Sequence, residues 1–249
     1  MNEFYTPEKP IETEPKPLFK LILMRHQETD YTEEGHDLTD RGIEGAKETG
    51  REMKTDTFFS PEEKVALFHS PKPRAKATLD FVSEEAGFQD EGRAVKVLGS
   101  SKILDMKAFE SHIEELEDDL ARIAEAHYIH DFHQNHPELI EPHAKKKERL
   151  YRAMEYFIRA AVKNEDTQPG QTAQALAVSH FEILTHLVND VFDIKNTGYR
   201  SPLMGEQIKI IGFQTEDPEV IILEVEFRDF QKKVTFNRKT RSIEPYSTI

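Results

Sequence analysis

The segment Phe19-Lys20-Leu21-Ile22-Leu23-Met24-Arg25-His26-Gln27-Glu28-Thr29 constrains this chain more than any other. Its apolar half is long enough for a buried strand and too short for a helix. It stops at an Arg-His pair followed by small and polar residues. A buried strand ending this way delivers a cation and an imidazole to the carboxyl edge of a sheet, where open α/β sheets bind their ligands. Taken alone, the same pair also fits a basic strand end facing solvent, so the rest of the chain has to decide.

At 249 residues the chain has room for one sizeable domain, or for a domain with a substantial insertion. Hydrophobic residues make up 37%, but they are clustered, which assigns the 32% of charged residues to exposed helices and tails. The absence of cysteine excludes disulfides and thiolate metal sites. No run approaches the length of a membrane span, and the acidic, proline-rich N-terminus does not read as a secretory signal, so the cytoplasm is the expected compartment. A formal net charge of -14 argues against nucleic acid or an anionic membrane as partner. It also requires that any phosphate pocket be built from few, convergent cations.

Residues 1–17 read as a flexible leader and 18–249 as the folded domain. After the first strand, Thr39 or Asp40 can cap a helix through Met53, with Ile43, Ala46, Gly50 and Met53 on one face. The glycines in it suggest close packing against the sheet. Val65–His69 is a second strand, stopped by Ser70-Pro71-Lys72-Pro73, and Pro73 suits the start of a helix that carries Arg74 in its first turn. Ala94–Leu98 reads as a third strand. From about 107 to 166 the chain turns charged and helical, with segments Glu110–Ala126 and Lys145–Val162, and reads as a helical insertion over or beside the sheet. Ala175–Ser179 is a fourth strand ending in His180, and an apolar-periodic helix, Glu182–Phe192, follows directly. Glu206–Phe213, Glu219–Phe227 and Lys232–Phe236 read as strands, the last two as a hairpin around Arg228-Asp229-Phe230.

Three strand ends thus supply Arg25, His26, Arg74 and His180. With the helix N-terminus after His180 they form an expected anion site, and phosphate suits them better than a metal, because two histidines lack carboxylate partners. Four local patterns carry a family resemblance. Arg25-His26-x-Glu28-Thr29 is similar to the Arg-His-Gly signature of the histidine phosphatase (phosphoglycerate mutase-like) superfamily. Leu38-Thr39-x-x-Gly42, Ser70-Pro71-x-x-Arg74-Ala75-x-x-Thr78 and Val178-Ser179-His180 resemble its further motifs, in the right order.

The resemblance implies an α/β fold, a three-layer α/β/α sandwich, read here with a mostly parallel central sheet and a helical insertion. It implies a metal-independent, cofactor-free phosphomonoester hydrolase acting on a small phosphorylated metabolite. By position, His26 is the nucleophile, while Arg25, Arg74 and His180 hold the phosphoryl oxygens. Thr29 adds a hydroxyl contact. Gln27 and Phe181 stand where the family usually has glycine, and both would put bulk near the phosphate. The general acid is open: Asp105 ranks first, Glu182 second and Glu110 third, and an acid in a first helical turn, as Glu182 is, is also favoured by the helix dipole alone. The Trp-Asn pair of the mutase branch is absent. The alternative to an enzyme is a catalytically impaired phosphate-binding module of the same fold. His127, His130, His133 and His136 recur at a spacing that drifts around a helix, which fits a solvated helix end better than a metal site. The sequence fixes neither the substrate nor an oligomeric state.

Overall fold

The computed structural model of the chain describes residues 16–29, 38–60, 62–102, 104, 107, 137–192 and 202–246. The leading apolar segment forms strand β1 (Phe19–Arg25). It is buried on both faces: Leu21 and Leu23 enter one core, Ile22 and Met24 the other. The remaining strands are β2 (Val65–His69), β3 (Arg93–Ala94), β4 (Ala173–Ser179), β5 (Gln207–Gln214), β6 (Val220–Phe227), β7 (Phe230–Asn237) and β8 (Ser242–Pro245). They form one sheet in the order β3-β2-β4-β1-β5-β6-β7-β8.

The expectation of a mostly parallel sheet is corrected. Pairs β2–β3, β2–β4 and β1–β4 are parallel, whereas β1–β5, β5–β6, β6–β7 and β7–β8 are antiparallel. The physical reason lies in the connections. Two residues, Arg228 and Asp229, join β6 to β7, and a turn that short can link only antiparallel neighbours. Arg228 adopts φ 55° to make it. The expected third strand shrinks to Arg93–Ala94, because Lys96–Leu98 winds into a 3₁₀ turn that drives Leu98 fully into the core. β8 was not expected from the sequence at all.

Among the described residues four helices cover the sheet. On one face lie α1 (Asp40–Thr55) and α2 (Pro73–Ala86). Thr39 caps α1, its hydroxyl accepting the Gly42 N–H at 3.0 Å. Pro73 occupies the first turn of α2, as its missing N–H allows. The α1 glycines were expected to pack closely on the sheet, but at Gly50 the close approach is to α2, where a Cβ would lie 2.5 Å from the Val82 carbonyl oxygen.

On the other face lie α3 (His143–Thr167) and α4 (Phe181–Phe192). Leu150, Met154, Phe157 and Ile158 of α3 share a core with Ile183, Leu184, Leu187 and Val188 of α4. The closing helix of the expected insertion therefore lies over the sheet, as a layer of the fold, and not beside it. Helices on both faces of one sheet make the α/β/α sandwich. No helix among the described residues is long and apolar enough to cross a membrane.

Candidate active site

Three parallel strands end at the same edge, and each hands a polar group to it. β1 ends in Arg25 and His26, β2 in His69 and Ser70 ahead of α2, and β4 in Ser179 and His180 ahead of α4. The strand ends are cross-tied: His26 N–H donates to Ser179 O at 3.0 Å, and Ser70 N–H to Val178 O at 2.9 Å. The adjacent pair Arg25 and His26 is thereby brought together with the distant Arg74 and His180. The His26 and His180 rings lie edge to face, with centroids 5.1 Å apart.

The hydrogen bonds assign protons. His26 Nδ1 donates to its neighbour Gln27 O at 2.8 Å, so Nε2 carries the lone pair. Arg74 Nε donates to that Nε2 at 3.1 Å, and Arg74 Nη2 donates to His180 Nδ1 at 3.3 Å. Ser70 Oγ lies 2.6 Å from His180 Nε2. His26 is 1% exposed and His180 0%. Burial first, then the Arg74 charge, with Arg25 adding a little, depress His26 to about 3 against the opposing pull of the Gln27 carbonyl. Burial, followed by the neighbouring His26 and the charges of Arg74, Lys72 and Arg25, holds His180 well below the usual imidazole range. The site therefore holds a neutral imidazole with one lone pair aimed among cations. Such a group is a nucleophile set for an anionic electrophile.

Arg25 donates through Nη1 to Pro202 O at 2.9 Å, and its guanidinium stacks 4.7 Å from the Phe181 ring centroid. The Phe181 bulk thus supports Arg25. The Gln27 bulk does not enter the site as expected: its Nε2 donates to Thr49 Oγ1 of α1 at 3.3 Å. Its amide fills the space that Cβ atoms on Gly45 and Gly205 would need, 2.9 and 2.3 Å away. The Thr29 hydroxyl is buried without a hydrogen-bond partner among the described residues. Thr78 closes the Ser70-to-Thr78 motif. Its hydroxyl accepts the Gln27 N–H at 3.0 Å and donates to Arg74 O at 2.9 Å, tying the residue after His26 to the first turn of α2.

Of the expected acids, Asp105 and Glu110 lie outside the described residues, as do His127, His130, His133 and His136. Glu182 is 7% exposed, and its charge acts on Lys146, itself 1% exposed. Burial lowers the Lys146 ammonium, with Glu182 and Glu141 opposing. That interaction gives Glu182 a structural partner in Lys146. Beside it, Arg149 donates to Gly99 O and Ser100 O, both at 3.1 Å, and to Glu141 at 2.6 Å. Glu141 in turn accepts the Lys102 N–H at 3.2 Å. This buried clamp, invisible in the sequence, holds the loop that leads to residue 105. Among the described residues no three His, Asp or Glu side chains converge as a metal ion would require.

The family model of the histidine phosphatase superfamily (branch 1) matches residues 21–225. No curated protein matches the chain by sequence. Solved structures with a similar fold include a phosphoglycerate mutase from Bacillus anthracis str. Sterne, 16% identical over 84% of this chain and 92% of that one, with a TM-score of 0.57. A mycobacterial hydrolase is 14% identical over 86% and 99% of the two chains, with a TM-score of 0.56. A mycobacterial glucosyl-3-phosphoglycerate phosphatase is 15% identical over 84% and 97%, with a TM-score of 0.55.

Proposed function

The chain belongs to the histidine phosphatase superfamily, and on that premise we propose that it is a metal-independent phosphomonoester hydrolase working through a phosphohistidine at His26 on a small phosphorylated metabolite. One observation carries the reading. His26 Nδ1 is bound to the Gln27 carbonyl while Nε2 faces the Arg74 guanidinium, so a single lone pair is presented where an anion would sit. In this reading Arg74 turns its N–H groups from His26 to the phosphoryl oxygens. That movement frees Nε2 for in-line attack and stabilises charge on the transferring group. Arg25, braced by Phe181, and His180 hold the remaining oxygens, and the buried Thr29 hydroxyl adds a contact.

Nε2 bonds to phosphorus as the ester oxygen leaves, and that oxygen takes a proton from Asp105. The Asp105 carboxylate then activates the water that returns His26 to its free form. Glu182 ranks below Asp105 because it faces Lys146.

The test is stoichiometric labelling. The purified protein is mixed with a reactive phosphoryl donor, quenched in alkali, and digested. No label on the His26 peptide together with no turnover on a broad donor panel would replace the enzyme by a phosphate-binding module. The expected result is an acid-labile phosphate on that peptide, lost in His26→Ala. Asp105→Asn is expected to slow turnover most for poor leaving groups, and an equal loss on all esters would remove it as the acid.

A further inference from the structure

Ser70 has no part in the reaction above, yet its hydroxyl sits in a fully specified geometry. It has no exposed surface, it lies 2.6 Å from His180 Nε2, and it accepts the Lys72 N–H at 3.2 Å. Across the ring, Arg74 Nη2 lies 3.3 Å from Nδ1. A guanidinium only donates, so Nδ1 carries a lone pair and the proton of the neutral imidazole is on Nε2, donated to Ser70.

That arrangement suits an empty site and fails a filled one. The oxygens of a phosphoryl dianion only accept, and a bare Nδ1 lone pair facing them repels. We propose that arrival of a phosphoryl dianion is coupled to uptake of one proton at His180 Nδ1, and that Ser70 is the positioning residue for this step, accepting the Nε2–H of the imidazolium that results. The inference rests on the reading that this pocket binds a phosphoryl group.

The balance is simple. A proton from solvent forms one N–H bond at Nδ1, the Nε2–H bond stays intact, and no bond at Ser70 breaks. Arg74 releases Nδ1 and turns its N–H to the anion. The charged and titratable groups acting on the ring are His26, Arg74, Lys72 and Arg25, and with burial they keep it neutral until an anion offsets them. A carboxylate in place of Ser70 would hold the ring charged permanently. A neutral hydroxyl lets the charge appear only with the ligand.

Inorganic sulfate is the probe, because it stays a tetrahedral dianion from pH 5 to pH 9 and so takes up no proton itself. Calorimetry in two buffers of different ionisation enthalpy counts protons taken up on binding, and nitrogen NMR of the histidines identifies the ring. The parent chain is expected to take up about one proton per sulfate, at His180. Its affinity should fall as pH rises through the value of the bound ring. Ser70→Ala should move that fall about one pH unit lower, a loss of about tenfold in affinity within the window, and Ser70→Thr should restore it.

No proton uptake, uptake at His26 alone, or a folded Ser70→Ala with unchanged affinity and pH dependence would each overturn the inference. The proton count is read on the parent chain, so it decides even if Ser70→Ala does not fold. A parent chain that binds no sulfate overturns the phosphoryl-site reading and this inference with it.

Discussion

The two halves of the sheet meet at β1, which pairs in parallel with β4 and antiparallel with β5, and they differ in almost every physical respect. In the parallel half, β1, β2 and β4 are covered by helices on both faces, and their carboxyl ends share one edge. All of the proposed phosphoryl-binding residues lie there. In the antiparallel half, β5 and β6 alternate buried with half-exposed residues over their length, and ion pairs such as Lys233–Glu224 cross the open face. Strand direction explains the division. Parallel strands return through helices, so each brings a fresh helix start and loop to the same edge. Antiparallel hairpins scatter their ends over both edges and gather nothing.

Four measurements break or sharpen that contrast. The largest effect is expected from His26→Ala, which should lower turnover by about a thousandfold or more while urea unfolding stays cooperative. Retention of activity within tenfold would dislodge the chemistry from this edge. In the other half, Leu223→Ala empties a fully buried site and should cost about 3 kcal/mol of stability with kcat of the folded protein unchanged. A selective loss of kcat there would show the halves to be coupled.

Acid should act through the parallel half. His26 and His186 are neutral in the fold at about 3 and about 4 and near the ordinary 6.5 when unfolded, and no histidine follows His186 in the chain. Their stability contribution is complete above 6.5 and drains as pH falls towards those values, by about 2 kcal/mol per imidazole at pH 5. Thermal melts from pH 8 to pH 5 check this, and a His26→Asn, His186→Asn double variant should flatten the acid limb. The smallest effect belongs to the open face. Lys233→Met should change stability by about 0.5 kcal/mol or less, because both partners are about two-fifths exposed and salt screens the pair.

The sequence made the parallel half legible because its signals are local. A short apolar run, a proline after a strand and a histidine before a helix each reveal a strand end without knowledge of its neighbours. Arg25, His26, Arg74 and His180 were found that way, and the helix starts at Thr39 and Pro73 as well. What was not legible depends on pairing between distant segments. The hairpin of β6 and β7 was legible from its short turn, but the antiparallel pairing of β5 with β1, the strand β8, the reduction of β3 to two residues, the role of α3 as a core layer and the Arg149–Glu141 clamp were not. The bulk of Gln27 was misjudged for the same reason, since nothing adjacent in sequence says that its amide turns towards Thr49.

Gln27 has a consequence for how this chain tolerates change. Its side-chain amide lies against positions 45 and 205, and position 205 is also held at glycine by its φ of +77°. Position 45 lies inside α1, where alanine is ordinarily favoured over glycine by about 1 kcal/mol. With Gln27 in place, Gly45→Ala must move the amide aside, which offsets part of that preference. With glycine at 27, the same alanine drops into the space left behind and gains the helix preference in full. The value of one substitution therefore depends on the identity of the residue next to His26, a case of epistasis between positions 27 and 45.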